Sequence, residues 1–258
     1  MNDLDSIERG RFQANYAKLV PFVLVHLLCV AVFFVPFKAS LLWVCLGLFI
    51  LRMFGITAGY HRYFSHRSYK TSRVMQFILA LLANLSLMRG PITWAAHHRY
   101  HHRYSDTPKD LHSPKYGGFL WSHMGWFLSR SYDETPLVSV ADLTSFKELV
   151  WLNRFYFLPA YAVAALLFYL GGWPLFVWGF LISTVLSWHI TFTINSLSHI
   201  FGTRRYQTAD DSRNNWVLAL LTLGEGWHNN HHQYMSSARQ GFFWWEIDLS
   251  YYGLCLLN

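Results

Sequence analysis

The chemistry legible in this chain is concentrated in its histidines. Nine of the 14 fall in three short boxes: His61 and His66 in HRYFSH, His97, His98, His101 and His102 in HHRYHH, and His228, His231 and His232 in HNNHH. The boxes occupy 17 of 258 positions, where random placement would put about one histidine. Imidazole is the commonest protein ligand for metal ions, so this density points to a metal site.

Spacing says how the rings would be presented. Residues i, i+3 and i+4 share one face of a regular helix. His98, His101 and His102 have that pattern, as do His228, His231 and His232. Each triplet therefore reads as three imidazoles aimed at one point. His97 is set aside because the third box has no matching leading histidine. His61 and His66 are five apart, roughly 140° around a regular helix, and need a helix end or a bend to meet. NSLSHIFG adds Asn195 and His199 at i, i+4.

The sum is nine imidazoles beside one asparagine, too many for one ion with about four to six ligands and suited to two. Nitrogen ligation fits Fe, Zn, Cu or Ni alike. The single Glu-x-x-His, from Glu225 to His228, excludes the carboxylate-rich di-iron bundle, which needs two. The absence of His-Glu-x-x-His excludes the common zinc-protease pattern. Asp106, Asp110, Asp211 and Glu225 are the candidate acceptors that would orient the rings.

Elements able to position these residues follow from composition. Hydrophobic residues make up 53% and charged residues 14%, against about 25% charged in a soluble domain. Four apolar stretches, 19–36, 41–60, 155–170 and 174–194, are each near the roughly 20 residues that cross a bilayer as a helix. They pair into two hairpins, the second turning at Gly171-Gly-Trp-Pro174. Residues 74–88 are apolar but short and read as a half-inserted or interfacial helix, and the aromatic GFFWWEIDLSYYGL near the end reads as interfacial.

Basic residues are concentrated in 61–153, which holds eleven of the 21 Lys and Arg. By the positive-inside rule that loop, 195–258 and both termini face the cytoplasm. The expectation is one domain over 1–258: an all-α integral membrane protein with four transmembrane helices in two hairpins and a cytosolic helical cap holding a histidine-rich dimetal site. The first 18 residues mix acids and bases, so the first apolar run is expected to stay as an anchor rather than act as a signal peptide. A net charge of +7 fits an anionic membrane surface or an acidic substrate headgroup. No basic helix face or Gly-rich loop supports nucleic acid.

Three cysteines, Cys29, Cys45 and Cys255, form no Cys-x-x-Cys pair, which excludes a thiolate site. His26 and His189 read as packing or hydrogen-bonding residues, and His112 and His123 as loop or surface residues. Arg52, inside a span, is expected to snorkel or to pair.

ITAGYHRYFSHRSYKTS, WAAHHRYHHRYSDTPKDLHSP, NSLSHIFG and GEGWHNNHHQY, with the spacing of the hairpins, resemble the membrane-bound fatty acyl desaturases of the stearoyl-CoA desaturase type, bacterial branch. The resemblance extends over the chain from about residue 20. It implies two irons and O2 as co-substrate. His61, His66, His98, His101, His102, His199, His228, His231 and His232 would be ligands, Asn195 would act through water, and Thr191, Phe192 and Tyr60 would lie near the substrate. It further implies a cis double bond at Δ9 of a saturated acyl chain, and electrons from a cytochrome b5 or a ferredoxin with its reductase. The implied location is the bacterial inner membrane.

The family's animal acyl-CoA enzymes carry Arg-Asp before the second box, where this chain has Ala96-His97. A CoA, lipid or carrier-protein linkage therefore stays open. The chain also stops at Asn258, where relatives usually continue, which reads as a shortened form or a minimal cap. Two rival functions are a lipid hydroxylase or alkane monooxygenase, which usually has His-x3-His in its first box, and a non-enzymatic haem or metal carrier. Haem would need axial histidines facing each other between spans, and these boxes lie at span ends.

Overall fold

A computed structural model describes residues 13–134 and 140–257. The first twelve residues, and with them most of the polar N-terminal segment, lie outside the described residues, as does Asn258. Among the described residues, every element longer than an isolated bridge is helical.

Among the described residues, three helices are long and apolar enough to cross a membrane: α1 (Tyr16–Phe33), α2 (Ala39–Ser65) and a 42-residue run, Leu158–His199. The first begins at a defined cap, where Asn15 Oδ1 accepts from the Ala17 N–H at 3.1 Å. The 42-residue run is interrupted at Gly171 (φ −150°, ψ 16°) and Gly172 (φ 60°, ψ −153°), which leave the helical region. The second of these torsions favours glycine, since φ > 0 costs it nothing. Ala160, Ala164 and Leu167 before the break pack against Val177, Phe180 and Leu181 after it.

The second helix outruns its expected end at residue 60 by five positions, and its last part is the unusual one. From Gly55 to Ser65 the backbone is wound as a π-helix, all of it buried. The wider i→i+5 turn is closed at its end by the His66 N–H donating to the His61 carbonyl at 3.2 Å. This supplies the bend that a five-residue spacing requires, and the two rings stand 4.8 Å apart. Helix α3 (Arg73–Asn84), the short apolar stretch, is laid across this segment. Close approach is set by Gly55, where a Cβ would meet the Leu82 carbonyl carbon at 2.5 Å.

The second box lies on α4 (Pro91–Tyr104), which starts with Pro at its first position after Gly90, where a missing N–H costs nothing. Asn153, on α5 (Lys147–Arg154), accepts from the Thr93 N–H at 2.9 Å and pins that start. On the outer side of α4, Arg99 donates to the carbonyls of Phe64 and Ser65, both at 2.9 Å, and forks onto Asp142. One side chain thus ties the end of the first box to the second.

Arg52 does not snorkel. It is buried and donates to the Leu85 carbonyl at 2.9 Å and to Ser183.

Candidate metal centre

The third box occupies α6 (His228–Gln233). Its intervening residues explain how so short a helix is held. Asn214 Oδ1 accepts from the N–H groups of Asn229 and Asn230, at 3.0 and 3.1 Å, and so caps the helix start. Asn229 Oδ1 accepts from the N–H groups of Arg205 and Tyr206. Asn230 Nδ2 donates to the Gln240 carbonyl and to Glu246. The two asparagines of HNNHH are therefore the anchors of the loop that carries the box.

All nine expected histidines converge, in two adjoining groups. His61, His66, His98, His102 and His231 form one, and His101, His199, His228 and His232 the other; within each group the candidate ligand atoms lie within 4.8 Å of one another. The expectation that each triplet serves one point is corrected here. His98 and His102 go to the first group and His101 to the second, while His228 and His232 go to the second and His231 to the first. The reason is angular. On a helix, i+4 lies about 40° to one side of i and i+3 about 60° to the other, so neighbouring rings such as 101 and 102 diverge.

The nitrogens fit a bound ion. His98 Nε2 lies 2.8 Å from His66 Nε2 and 2.9 Å from His102 Nε2. His231 Nε2 lies 3.0 Å from both His61 Nε2 and His102 Nε2, and His199 Nε2 lies 3.1 Å from His228 Nε2. At a metal–nitrogen distance of about 2.1 Å, two ligands at right angles stand about 3.0 Å apart. His232 Nε2 is buried and lacks a hydrogen-bond partner among the described residues. Burial, then the neighbouring imidazoles, holds His98, His102, His228 and His231 well below the usual histidine range. His232 is pushed down to about 4, with Asp210 opposing the shift. Neutral rings with converging lone pairs are the form that binds a cation.

Four carboxylates hold the outer nitrogens. Nδ1 of His101 faces Asp110 at 3.1 Å, that of His199 faces Asp106 at 2.8 Å, and that of His232 faces Asp210 at 2.8 Å. His61 Nδ1 meets Glu225. Burial disfavours the charge on all four acids, yet their histidine partners, with Arg62 also acting on Glu225, keep them below the usual carboxylate range. Each thereby accepts a hydrogen bond from an Nδ1–H, which keeps that proton on the ring and leaves Nε2 free to bind.

Asp106, Asp110 and Glu225 are as expected, but Asp211 is not. Its carboxylate pairs with Lys115 and Arg204, and its neighbour Asp210 takes the ring. Two adjacent aspartates give no spacing signal to choose between them. Replacing Asp210 with Asn should weaken metal retention against a chelator about 10- to 100-fold, while Asp211→Asn stays within about twofold. Equal effects would show that Asp210 does not orient His232.

A cavity of about 730 Å³ runs up to this centre. Its wall includes Phe22, Val25, Phe127, Trp188 and Phe192, and beside them His98, Thr191 and Asn195. Tyr60, expected near the substrate, is not on the wall. Trp94 stands there, stacked on His98 at 4.8 Å, and Tyr60 is buried behind it with its hydroxyl 2.6 Å from Asn84 Oδ1.

His112 and His123, read as loop or surface residues, are both buried, although His112 does lie in a loop. His112 stacks on His101 at 4.2 Å, and its backbone N–H donates to the same Asp110. His123, His189 and His26 form a chain, His123 Nε2 to His189 Nδ1 at 3.0 Å and His189 Nε2 to His26 Nε2 at 2.9 Å. Sequence distance hid both arrangements. His97 is outside both groups.

The family model for fatty acid desaturases matches residues 39–249. Delta-9 acyl-lipid desaturase 2 of Arabidopsis thaliana is 40% identical over 92% of this chain and 78% of its own length. The sn-1 stearoyl-lipid 9-desaturase of Anabaena variabilis is 37% identical over 95% of this chain and 91% of its own. The Acyl-CoA C20 Delta5-desaturase of Anemone leveillei is 39% identical over 91% and 76%. With its histidine clusters at the head of an apolar cavity, the chain belongs to the fatty acid desaturase family.

Proposed function

We propose that this desaturase places a cis double bond at Δ9 of a saturated acyl chain, using two irons held by the nine histidines. The observation that carries the reading is the cavity wall, where apolar side chains continue onto His98 and Asn195. His61, His66, His98, His102 and His231 would hold one iron. His101, His199, His228 and His232 would hold the other, with Asn195 acting through water one turn before His199. Held by these residues, the irons would supply the oxidising chemistry with O2 that an unactivated methylene requires and that no side chain offers.

The protein's part is placement and exclusion. The carboxylates keep the Nδ1 protons in place and so fix each ring. Phe22, Val25, Phe127, Trp188 and Phe192 hold the chain away from water. Thr191 and Phe192, on the helix that carries Asn195, would set which methylenes stop beside the irons. Electrons would come from a cytochrome b5 or a ferredoxin with its reductase.

The 42-residue run would amount to about 63 Å as one straight helix, twice the hydrocarbon thickness of ~30 Å. The break at Gly171–Gly172 supports two spans there, hence four spans in two hairpins. The basic loop supports a cytoplasmic metal centre and cytoplasmic termini, in a bacterial inner membrane.

Expression in a host without its own desaturase tests the reading. Membrane fatty acids should gain a cis-9 monoene, located by mass spectrometry after derivatisation, and His101→Ala should abolish it. Hydroxylated chains in place of the monoene would sink the desaturation chemistry.

A further inference from the structure

Arg52 takes no part in the chemistry above, yet it stands fully buried inside a span. An intramembrane charge is costly without a partner, and among the described residues no carboxylate pairs with this one. What answers it is the end of a helix. Arg52 Nε donates to the carbonyl of Leu85, the residue that closes α3, at 2.9 Å. The last carbonyls of a helix lack partners within it and carry its partial negative charge. A guanidinium at that point meets both needs.

The chain that leaves this carbonyl is strained. Leu87 (φ 58°) and Arg89 (φ 74°) both occupy the left-handed region. Residues with a Cβ persist there only where their surroundings hold them. Side chains from other elements hold the carbonyls around them. Trp188 Nε1 donates to the Ser86 carbonyl at 2.6 Å, and the Tyr60 hydroxyl donates to that of Arg89. Leu87 and Met88 lie on the cavity wall, as do Trp188, Thr191 and Phe192. The last three share one helix face, at i, i+3 and i+4. The bond from Trp188 to Ser86 therefore joins the turn and that face into one wall.

We propose that Arg52 is a positioning residue for regioselectivity: by pinning the end of α3 it holds Leu87 and Met88 at one height on the wall, and so fixes which carbons of the acyl chain stop at the metal centre. The inference rests on the desaturase reading above. Neighbouring methylenes of a saturated chain are chemically alike, so only the walls can choose between them. Misplacement by about 1 Å can cost ~100-fold in rate, and adjacent carbons are separated by little more than that. Released from Arg52, residues 85–89 would relax their left-handed torsions and the wall would shift along the chain.

Arg52→Met keeps the bulk of the side chain and removes the donor and the charge. In a host without its own desaturase, the wild type should give one positional monoene. The variant should add isomers displaced by one carbon or more, at about one tenth of the monoene or above, with metal content unchanged. Arg52→Lys, which can still donate to Leu85, should restore the single isomer. Leu87→Ala keeps the pin but strips the wall, and should broaden the product as Arg52→Met does. A second reading needs no turnover. Purified metal-loaded protein in detergent is titrated with stearate brominated at 6,7, at 9,10 or at 11,12, whose bromines quench Trp94, Trp126 and Trp188 on the wall. Quenching should depend on bromine position in the wild type, and that dependence should flatten in Arg52→Met but not in Arg52→Lys.

A single isomer from Arg52→Met, at any yield, overturns the proposal, and so does equal broadening by Arg52→Lys. Should Arg52→Met fail to accumulate, a single isomer from Leu87→Ala overturns it. Failure of the desaturase reading looks different: the wild type makes no double bond while the quenching profile still flattens in Arg52→Met.

Discussion

Replacing His101 and His102 together with Ala should strip both of the proposed metal ions from this protein, while replacing His102 and His231 together should leave one. Each single substitution should cut product formation by at least ~100-fold, more than is usual for loss of a group outside the ligand set. Metal content is therefore the sharper readout. His102 and His231 belong to one group and His101 to the other. If each box served its own ion, the outcomes would be reversed: one ion left after loss of 101 and 102, none after loss of 102 and 231. Elemental analysis of the purified variants separates the two arrangements. Pairing His231→Ala with His232→Ala gives a second check, since the two share a box but belong to different groups: both ions should be lost here, and one would remain if each box served its own ion.

The second large effect concerns stability. Arg62 is fully buried, with Nη1 2.9 Å from Asp248 Oδ1 and Nη2 3.0 Å from Glu225 Oε1. It also donates to the Ala238 carbonyl at 2.8 Å. Asp248 in turn accepts from the Gln240 N–H at 2.7 Å and caps the helix Leu249–Leu256. Gly224, at φ +127°, leaves the space this cluster needs, because a Cβ would fall 2.3 Å from Asp248 Oδ1.

Arg62→Met would leave two buried carboxylates facing each other. Breaking a buried pair in this way typically costs about 3–5 kcal/mol. The thermal midpoint in detergent should fall clearly, and bound metal should be lost with it, because Glu225 also holds His61. Neutralising all three at once, Arg62→Met with Glu225→Gln and Asp248→Asn, should recover much of the midpoint without restoring activity. An unchanged midpoint in the single variant would show that Arg62 is dispensable to the fold.

What the sequence determines by itself is the inventory. Nine histidines in clusters, one asparagine at i, i+4 to His199, apolar runs of bilayer length and three of the four orienting acids can be named from spacing and composition, because these are local properties of one helix or one run. Partition is not local. Which ring of a triplet faces which group depends on where α2, α4, α6 and the end of the Leu158–His199 run lie against each other, and that arrangement divides each triplet between the two groups.

The same holds for the meeting of His61 with His66. Their spacing asks for a bend, and the buried π-helix from Gly55 to Ser65 against α3 supplies it. Asp210 rather than Asp211 orients His232 because the loop over 203–214 is folded onto α6 through Asn214 and Asn229. Trp94 rather than Tyr60 reaches the cavity because α4 stands between α2 and the open space. Arg52, Ser86 and Trp188 come from segments more than a hundred residues apart at the extremes, so their grouping at one turn exists only once the chain is folded.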